Sequence, residues 1–247
     1  MKSVATTPLI IAHRGGAGIA PENTIIAIET AKALRVDCIE IDIRMTSDGT
    51  LTVFHDRRLN RTTYGKGGIR KYSFQELQQY PIKSKLAGDF NIQRIPSLEQ
   101  VLAAIMDSNI TLMVEVKSPS ASPKLTDKLA QLVKSREVVD QVEIFSFDKN
   151  FIVSFRERYP EFKTGWLVSG RIPKIRYPKV QFVGLYYKSA LLFPKQVTRL
   201  QRKGYRVYVW TVNTEKSMRK ILKLGVDGII TDYPNILIKV MKSEKPS

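Results

Sequence analysis

Short β-rich runs alternate with helical patterns along nearly the whole chain. Most of these runs are almost continuously apolar, which is typical of parallel strands that are covered on both faces. A regular alternation of strands and helices predicts an α/β protein built on a parallel sheet. The candidate strands are Leu9–Ala12, Cys38–Ile43, Leu51–Phe54, Thr111–Val116, Gln141–Ser146, Lys163–Val168, Val180–Leu185, Arg206–Thr211 and Gly228–Thr231.

Helix-start signals fall between these candidate strands. Two serine–acceptor pairs, Ser73 with Glu76 and Ser97 with Gln100, have the spacing of a capping box. In that motif the serine hydroxyl accepts from a backbone N–H that the first helical turn leaves unpaired. Further candidate helix starts are Asn23 or Thr24, Ser122 before Pro123, Asp148, Pro194, and Asn213 or Thr214.

Nine candidate strands are one more than a closed eight-stranded barrel needs. The residues between Ile43 and Leu51 include the turn sequence S-D-G-T and no helix, so Leu51–Phe54 is expected to fold back as a hairpin. A turn centred on Asp48–Gly49 would bring His55 opposite Ile41, beside Glu40 and Asp42. The other eight strands then predict a TIM (β/α)₈ barrel.

The stretch from Arg57 to Ile95 fits no strand–helix unit. It contains Y-G-K-G-G and a short helix near Ser73–Tyr80. We interpret residues 57–95 as a small cap inserted after the hairpin, within a single domain that spans residues 1–247.

The chain is strongly basic, with a formal net charge of +17 that is unevenly distributed. Between Phe162 and Thr214 there are eleven lysines and arginines and no acidic residue. Such a surface favours either solubility or the attraction of anions such as phosphate esters, lipid headgroups or nucleic acid. Nucleic acid is disfavoured, because the sequence has no helix-turn-helix, zinc or RNA-binding motif.

Cysteine content and hydropathy indicate the cellular compartment of the protein. Cys38 is the single cysteine, which excludes an internal disulfide, and its apolar neighbours predict a small core residue. Residues 1–8 do not have the pattern of a secretory signal, and charges interrupt every long apolar run. These features predict a cytoplasmic protein with no membrane span.

Three acidic residues stand in apolar strands. Glu40 and Asp42 alternate in C-I-E-I-D-I, so both side chains face one side of their strand. Glu115 occurs in the same kind of setting in L-M-V-E-V-K. Carboxylates resist burial unless a cation joins them, so the pattern favours an oxygen-rich site for Mg²⁺ or Ca²⁺. The alternative is a set of carboxylates at an exposed strand end or bridged by Lys or Arg.

The two histidines of the chain both sit at strand ends. His13 is followed by Arg14 and two glycines, and His55 follows the second strand of the hairpin. Two imidazoles, a guanidinium suited to phosphate oxygens and a metal site are the groups needed for acid–base cleavage of a phosphate ester. A packing or capping role for either histidine is the alternative.

Other candidates carry weaker signals. Glu22 could orient Arg14, although P-E-N-T also starts a helix. Trp210, at a strand end, could form a wall of the substrate pocket or belong to the core, and Phe147 and Tyr186 share this ambiguity. Asp232 in T-D-Y-P is expected to be a loop or cap residue.

These motifs together resemble the glycerophosphodiester phosphodiesterase family, part of a superfamily with phosphatidylinositol-specific phospholipase C. The resemblance covers almost the whole chain except the Arg57–Arg94 and Arg171–Lys179 stretches. The matching residues are H-R-G at 13–15, P-E-N-T at 21–24, E-I-D at 40–42, S-D-G-T-L-T-V-F-H-D at 47–56, E-V-K at 115–117 and G-I-I-T-D-Y-P at 228–234.

The resemblance implies a TIM barrel with an insertion after the second histidine. It implies that a divalent metal, Mg²⁺ or Ca²⁺, is bound by the residues that match the family's ligands, which are Glu40, Asp42 and Glu115. It also implies an acid–base pair formed by His13 and His55, with Arg14 and Lys117 contacting the phosphate.

The activity implied is hydrolysis of a small anionic glycerophosphodiester to sn-glycerol 3-phosphate and an alcohol. Two alternatives remain open: a lysophospholipase D that acts at a membrane surface, and a barrel that binds phosphoesters without catalysis. The basic stretches are compatible with a peripheral contact to a membrane.

Overall fold

A computed structural model of the chain describes residues 7–84, 86, 90–117, 122–172 and 178–244. The strands closely follow the predicted runs, with boundaries that differ by at most two residues. They are β1 (Leu9–Ala12), β2 (Cys38–Met45), β3 (Leu51–Val53), β4 (Thr111–Val116), β5 (Val142–Ser146), β6 (Lys163–Val168), β7 (Phe182–Tyr186), β8 (Arg206–Trp210) and β9 (Gly228–Thr231).

Eight of these strands form a closed parallel ring. Starting from β1, the order runs through β9, β8, β7, β6, β5 and β4 to β2, and β2 pairs back onto β1. The closure is made by Ile11 opposite Cys38 and Ala12 opposite Ile39. The prediction of a TIM (β/α)₈ barrel is confirmed.

The ninth strand, β3, is the predicted hairpin partner of β2. The two strands are antiparallel, with Ile43 opposite Val53. The backbone N–H of Phe54 donates to the carbonyl of Asp42 at 2.8 Å, which continues this register toward His55. Because β1 pairs only with the first residues of β2, the later residues of β2 are free to pair with β3.

The helices lie between the strands, and most of them begin at predicted caps. Both capping boxes form, at Ser73 and at Ser97, and Thr24, Ser122, Asp148 and Thr214 each accept from a first-turn N–H. The helices are α1 (Ile25–Ala33), α2 (Phe74–Leu77), α3 (Leu98–Ile105), α4 (Pro123–Ser135), α5 (Lys149–Arg158), α6 (Tyr187–Leu192), α7 (Lys195–Gln201), α8 (Glu215–Leu222) and α9 (Pro234–Ser243). Of these, α6 and α9 begin where no cap was predicted.

The core has two layers. The outer layer packs strands against helices and includes Ile39, Ile41 and Ile43 of β2. The inner layer takes one residue from each barrel strand: Ile11, Cys38, Met113, Phe145, Leu167, Phe182, Tyr208 and Ile230. Since side chains alternate along a strand, Glu40 and Asp42 of β2 are among the residues that share the inward face of Cys38. The fold therefore places these two carboxylates inside the barrel, toward its carboxyl end.

The residues between β3 and α3 have an apolar cluster of their own. It consists of Phe54, Leu59, Ile69, Leu77 and Ile95, with Tyr72, Tyr80 and Ile82 packed against it. The cluster contains no residue of the barrel strands, which is compatible with an inserted unit. The assignment of residues 57–95 to a cap within a single domain at 1–247 stays a prediction. Of that domain, the structure does not describe residues 1–6, 85, 87–89, 118–121, 173–177 and 245–247.

Among the described helices, none has both the length and the apolar character needed to cross a bilayer. The cytoplasmic location stays a prediction.

Candidate active site

Three carboxylates converge at the carboxyl ends of two neighbouring strands. Asp42 of β2 lies directly opposite Glu115 of β4 in the parallel register, and Glu40 precedes Asp42 on the same face. One oxygen from each carboxylate can be chosen so that all three lie within 4.8 Å of one another. All three side chains are buried. The predicted cluster therefore exists, and its donors are the hard oxygens that Mg²⁺ and Ca²⁺ prefer.

Two cations partly neutralise this cluster. The Nζ atom of Lys117 lies 2.8 Å from Asp42 Oδ1 and 2.7 Å from Glu115 Oε1. Arg14 Nε lies 3.3 Å from Asp42 Oδ2. The bridging by Lys and Arg that was the alternative to a metal is therefore present in part. When all three carboxylates are ionised, these two cations leave one negative charge of the group unmatched.

Glu40 supplies the oxygen of the cluster that is best suited to a metal ion. Its Oε2 accepts from the backbone N–H of Arg14 at 2.8 Å, while its buried Oε1 has no hydrogen-bond partner among the described residues. A buried carboxylate oxygen without a partner is costly. The donor set thus fits a divalent cation placed beside Glu40, in addition to the two side-chain cations.

The pKa values of the three carboxyl groups agree with a cation site at this cluster. Burial, reinforced by Asp42 and Glu115, raises the pKa of Glu40 well above its ordinary value. Burial, together with Asp42, raises the pKa of Glu115 to about 7, against the opposing effect of Lys117. Burial acts in the same direction on Asp42, but Lys117 and Arg14 outweigh it and hold the pKa of that carboxyl below its usual range. Glu40 and Glu115 therefore lack sufficient positive charge around them.

His13 lies in a 3-10 turn directly after β1, and a carboxylate holds its ring. Its Nδ1 lies 2.5 Å from Oδ1 of Asp232, and its Nε2 lies 3.8 Å from Glu40 Oε2. The amide of Asn213 donates to the other oxygen of Asp232 at 2.5 Å. The expectation that Asp232 is a loop or cap residue is incomplete: it follows β9 in a loop but caps no helix, because β9 lies next to β1 and brings its carboxylate to His13.

His55 has an equivalent carboxylate partner. Its Nδ1 lies 2.6 Å from Oδ1 of the adjacent Asp56. Burial lowers the pKa of His55, with further lowering by Arg14 and Lys117 and opposition from Asp42. The ring is therefore neutral near pH 7, the form in which an imidazole can accept a proton.

Arg14 is oriented by Glu22, as the sequence indicated. Its Nη1 donates to Glu22 Oε1 at 2.9 Å. Arg61, from the segment after the hairpin, donates to both oxygens of Glu22 at 2.7 and 2.8 Å and also to Asp56 at 2.6 Å. One arginine thus joins the carboxylate that orients Arg14 to the carboxylate that holds His55. This link could not be predicted from the sequence, because Arg61 lies in a stretch without strand or helix periodicity.

Seven of the eight predicted site residues line one cavity of about 290 Å³: His13, Arg14, Glu40, His55, Glu115, Lys117 and Trp210. The eighth, Asp42, is fully buried. Phe147 and Trp210 meet edge to face on the apolar side, with ring centroids 5.2 Å apart, and Tyr186 packs behind Trp210 at 5.3 Å. The cavity therefore has one charged wall and one aromatic wall, and Trp210 belongs to the latter.

Comparison with known proteins agrees with the motifs. The profile of the Glycerophosphoryl diester phosphodiesterase family matches residues 13–236. The chain belongs to this family. It is 32% identical over 237 residues to a glycerophosphodiester phosphodiesterase of Caldanaerobacter subterraneus subsp. tengcongensis, with 95% of this chain and 98% of the relative covered. It is also 32% identical over 242 residues to a glycerophosphodiester phosphodiesterase of Bacillus altitudinis, covering 96% and 99%.

A solved structure of the same fold contains a product. It is an Oleispira antarctica phosphodiesterase in complex with sn-glycerol-3-phosphate, which superposes with a TM-score of 0.88 at 28% identity and covers 95% of this chain and 97% of that one. The family resemblance inferred from the six motifs is confirmed. The matched region begins at His13, so both histidines and all three carboxylates lie within it.

Proposed function

We propose that the protein hydrolyses glycerophosphodiesters to sn-glycerol 3-phosphate and an alcohol, as a member of the glycerophosphoryl diester phosphodiesterase family. The observation that carries this proposal is that His13 and His55 line the same cavity as Glu40 and Glu115. Membership of the family and the product in the Oleispira relative support the substrate class.

The two histidines divide the proton transfers. One imidazole removes the proton from the attacking oxygen, either of water or of the glycerol 2-hydroxyl, as that oxygen forms its bond to phosphorus. The bond from phosphorus to the departing alcohol breaks, and the other imidazole protonates the leaving alkoxide. If the 2-hydroxyl attacks, water then opens the resulting cyclic phosphate. Asp232 and Asp56 hold the two Nδ1 atoms, which leaves each Nε2 for proton transfer.

Arg14 and Lys117 bind and orient the phosphodiester. Both line the cavity, and both are fixed by carboxylates below it, Arg14 by Glu22 and Asp42 and Lys117 by Asp42 and Glu115. Cations fixed in this way stabilise the charge that grows on the phosphoryl oxygens without having to move during the reaction. Trp210, on the opposite wall, contacts the apolar part of the substrate.

Glu40, Asp42 and Glu115 would hold a divalent cation, Mg²⁺ or Ca²⁺. Such an ion would supply further positive charge for the phosphoryl oxygens. The buried, unpartnered Oε1 of Glu40 and the raised pKa of Glu115 support this assignment.

A turnover assay tests the proposal. The purified protein is incubated with glycerophosphocholine or glycerophosphoethanolamine, with added Mg²⁺ or Ca²⁺ and then with EDTA, and sn-glycerol 3-phosphate is detected. We expect product with metal and a loss of product with EDTA. Binding of the diesters without turnover under any metal condition would favour the non-catalytic barrel instead.

A second candidate function is lysophospholipase D activity. It is favoured by Leu192, a residue that is 72% exposed at the end of α6. This helix follows β7 at the active-site end of the barrel. Comparing lysophosphatidylcholine with glycerophosphocholine as substrates separates the two activities.

A further inference from the structure

A basic surface that also exposes a leucine lies beside the mouth of the barrel. We call it the rim surface and define it by Arg171, Lys188, Leu192 and Lys195, all of which are exposed. Arg171 follows β6, and the other three residues follow β7, so the surface lies at the carboxyl end of the barrel strands. Lys188 and Leu192 are four residues apart on α6 and therefore share one face of that helix.

Packing beneath the rim surface fixes its shape. The guanidinium of Arg171 lies over the ring of Phe193, 5.4 Å from its centroid. The buried side chain of Gln196 accepts from the backbone N–H of Ile172 at 3.0 Å, which ties the loop after β6 to α7. Ser189 Oγ donates to the carbonyl of residue 169 at 2.9 Å. The surface therefore combines the loop after β6 with α6 and α7, and these two hydrogen bonds hold the three segments together.

The rim surface borders a cavity of about 390 Å³. Arg171, Lys195 and Arg199 supply three cationic groups to its lining, and Leu192 and Phe193 supply apolar ones. The buried Nε of Arg199 has no hydrogen-bond partner among the described residues. A cavity of this composition suits an anionic headgroup that is attached to an apolar chain.

The positive charge of the rim surface is not balanced by nearby carboxylates. Residues 162–214 contain no Asp or Glu, and within the described part of the chain Arg171, Lys188 and Lys195 form no ion pair with a carboxylate. A nucleic acid would satisfy the positive charge but would gain nothing from an exposed leucine. An anionic bilayer satisfies both, since its headgroups attract the cations and its acyl region accepts Leu192.

We propose that the rim surface docks the protein onto anionic phospholipid bilayers. Docking in this orientation turns the active-site mouth toward the bilayer, because α6 begins one residue after Tyr186, whose ring packs on Trp210 of the cavity wall. The inference concerns binding alone and does not depend on the catalytic assignment.

Vesicle co-sedimentation tests the docking. The wild-type protein is mixed with vesicles of phosphatidylcholine alone or of an equal mixture of phosphatidylcholine and phosphatidylglycerol. We expect binding to the mixed vesicles, weak binding to phosphatidylcholine, and a steady loss of binding as salt is added. Equal binding to both vesicle types, no binding to either, or stronger binding to duplex DNA than to the mixed vesicles would overturn the proposal.

Two variants separate the charge from the apolar contribution. Lys188→Glu/Lys195→Glu should weaken binding to the mixed vesicles by about fivefold or more for each charge changed. Leu192→Ser should weaken it by about fivefold, because a buried leucine contact is lost. All three residues are exposed, so far-UV circular dichroism and the thermal midpoint should stay at wild-type values.

The matched control is Lys128→Glu/Lys223→Glu. These two lysines are exposed on α4 and directly after α8, away from the rim surface, and the substitutions change the net charge by the same amount. The control should bind mixed vesicles like the wild type. If it loses as much binding as Lys188→Glu/Lys195→Glu, the attraction is a general effect of the basic protein and the rim surface has no special role.

Discussion

His13 and Asp232 are 219 residues apart in sequence, yet His13 Nδ1 lies 2.5 Å from Asp232 Oδ1. The contact exists because β1 and β9 are neighbours in the closed barrel, with Ala12 opposite Thr231. An ionised Asp232 makes Nδ1 the protonated nitrogen of a neutral ring, and Nε2 is then the nitrogen that faces Glu40. The barrel closure thus selects the tautomer of the first histidine.

Asp232→Asn should lower kcat for glycerophosphocholine by about tenfold to a thousandfold, because an amide no longer fixes the tautomer of His13 or stabilises its charged form. KM should change little, since Asp232 does not line the cavity. Steady-state kinetics measure both values. Asp107→Asn is the control and should behave as wild type, because this exposed carboxylate precedes β4 and lies away from the carboxyl ends of the strands. A KM effect without a kcat effect would assign Asp232 to substrate binding instead.

The pH dependence of kcat/KM should report His55. Its pKa lies below the ordinary value of 6.5, chiefly because the ring is buried. A base works only while neutral, so activity should fall as the pH drops through this lowered pKa, and the acid limb should lie below 6.5. His55→Gln should lower kcat by about 10²–10⁴ and remove that limb. A variant that keeps the wild-type limb would show that another group produces it.

Metal binding should stabilise the protein more strongly as the pH rises. The pKa of Glu115 is about 7 in the folded metal-free protein against an ordinary value of 4.5, so its protonated form stabilises the fold at low pH. That contribution is lost as the pH rises from about 4.5 to 7. A cation binds the ionised carboxylates, so the rise in thermal midpoint on adding Ca²⁺ or Mg²⁺ should be larger above pH 7 than below pH 5.

Glu40→Gln distinguishes a metal effect from a general salt effect. This variant should lose most of the metal-induced rise in thermal midpoint, which for the wild type corresponds to about 2.7 kcal/mol at a hundredfold excess over Kd. Glu143→Gln is the control: it removes another buried carboxylate, paired with Arg206, outside the cluster. Its midpoint should fall, but the metal-induced rise should remain. An equal loss in both variants would place the ion elsewhere.

Arg61→Ala should lower kcat by about tenfold. Exposed ion pairs contribute little to stability, but Arg61 joins Glu22 and Asp56, which orient Arg14 and His55. The thermal midpoint should therefore change little while turnover falls. The acid limb of the pH profile should also shift, because Asp56 holds the ring of His55 and loses its contact with Arg61. Arg58→Ala, at an exposed arginine three residues earlier, should leave turnover unchanged. An equal loss of turnover in the two variants would show that removing any positive charge from this segment has the same effect.

Most of the barrel could be predicted from the sequence because its signals are local. Each strand is a compact apolar run, and the capping boxes at Ser73 and Ser97 need only four residues each. The hairpin could be predicted because no helix fits between β2 and β3. The carboxylates of β2 could be placed inside the barrel because alternation along a strand fixes which residues share a face.

What the sequence missed depends on contacts between distant segments. Asp232 contacts His13 only because the barrel closes with β9 beside β1, and T-D-Y-P by itself indicates a helix start. Arg61 lies in a segment whose path over the barrel no periodicity determines. For Trp210 the sequence was compatible with either a pocket wall or a core position. Its place in the cavity wall follows from packing against Phe147 and Tyr186.

The hairpin of β2 and β3 has a consequence for the natural variation of this segment. Glu40, Asp42 and His55 are carried by one antiparallel ribbon, and a shift of one residue in its pairing would turn His55 to the opposite side. Single-residue insertions or deletions in the turn at 46–50 should thus be rare among active homologues, whereas changes by two residues keep the imidazole on the correct side. Changes of length beyond Arg61 should be tolerated more freely than changes of length in this turn, because the later residues do not set the side on which His55 lies.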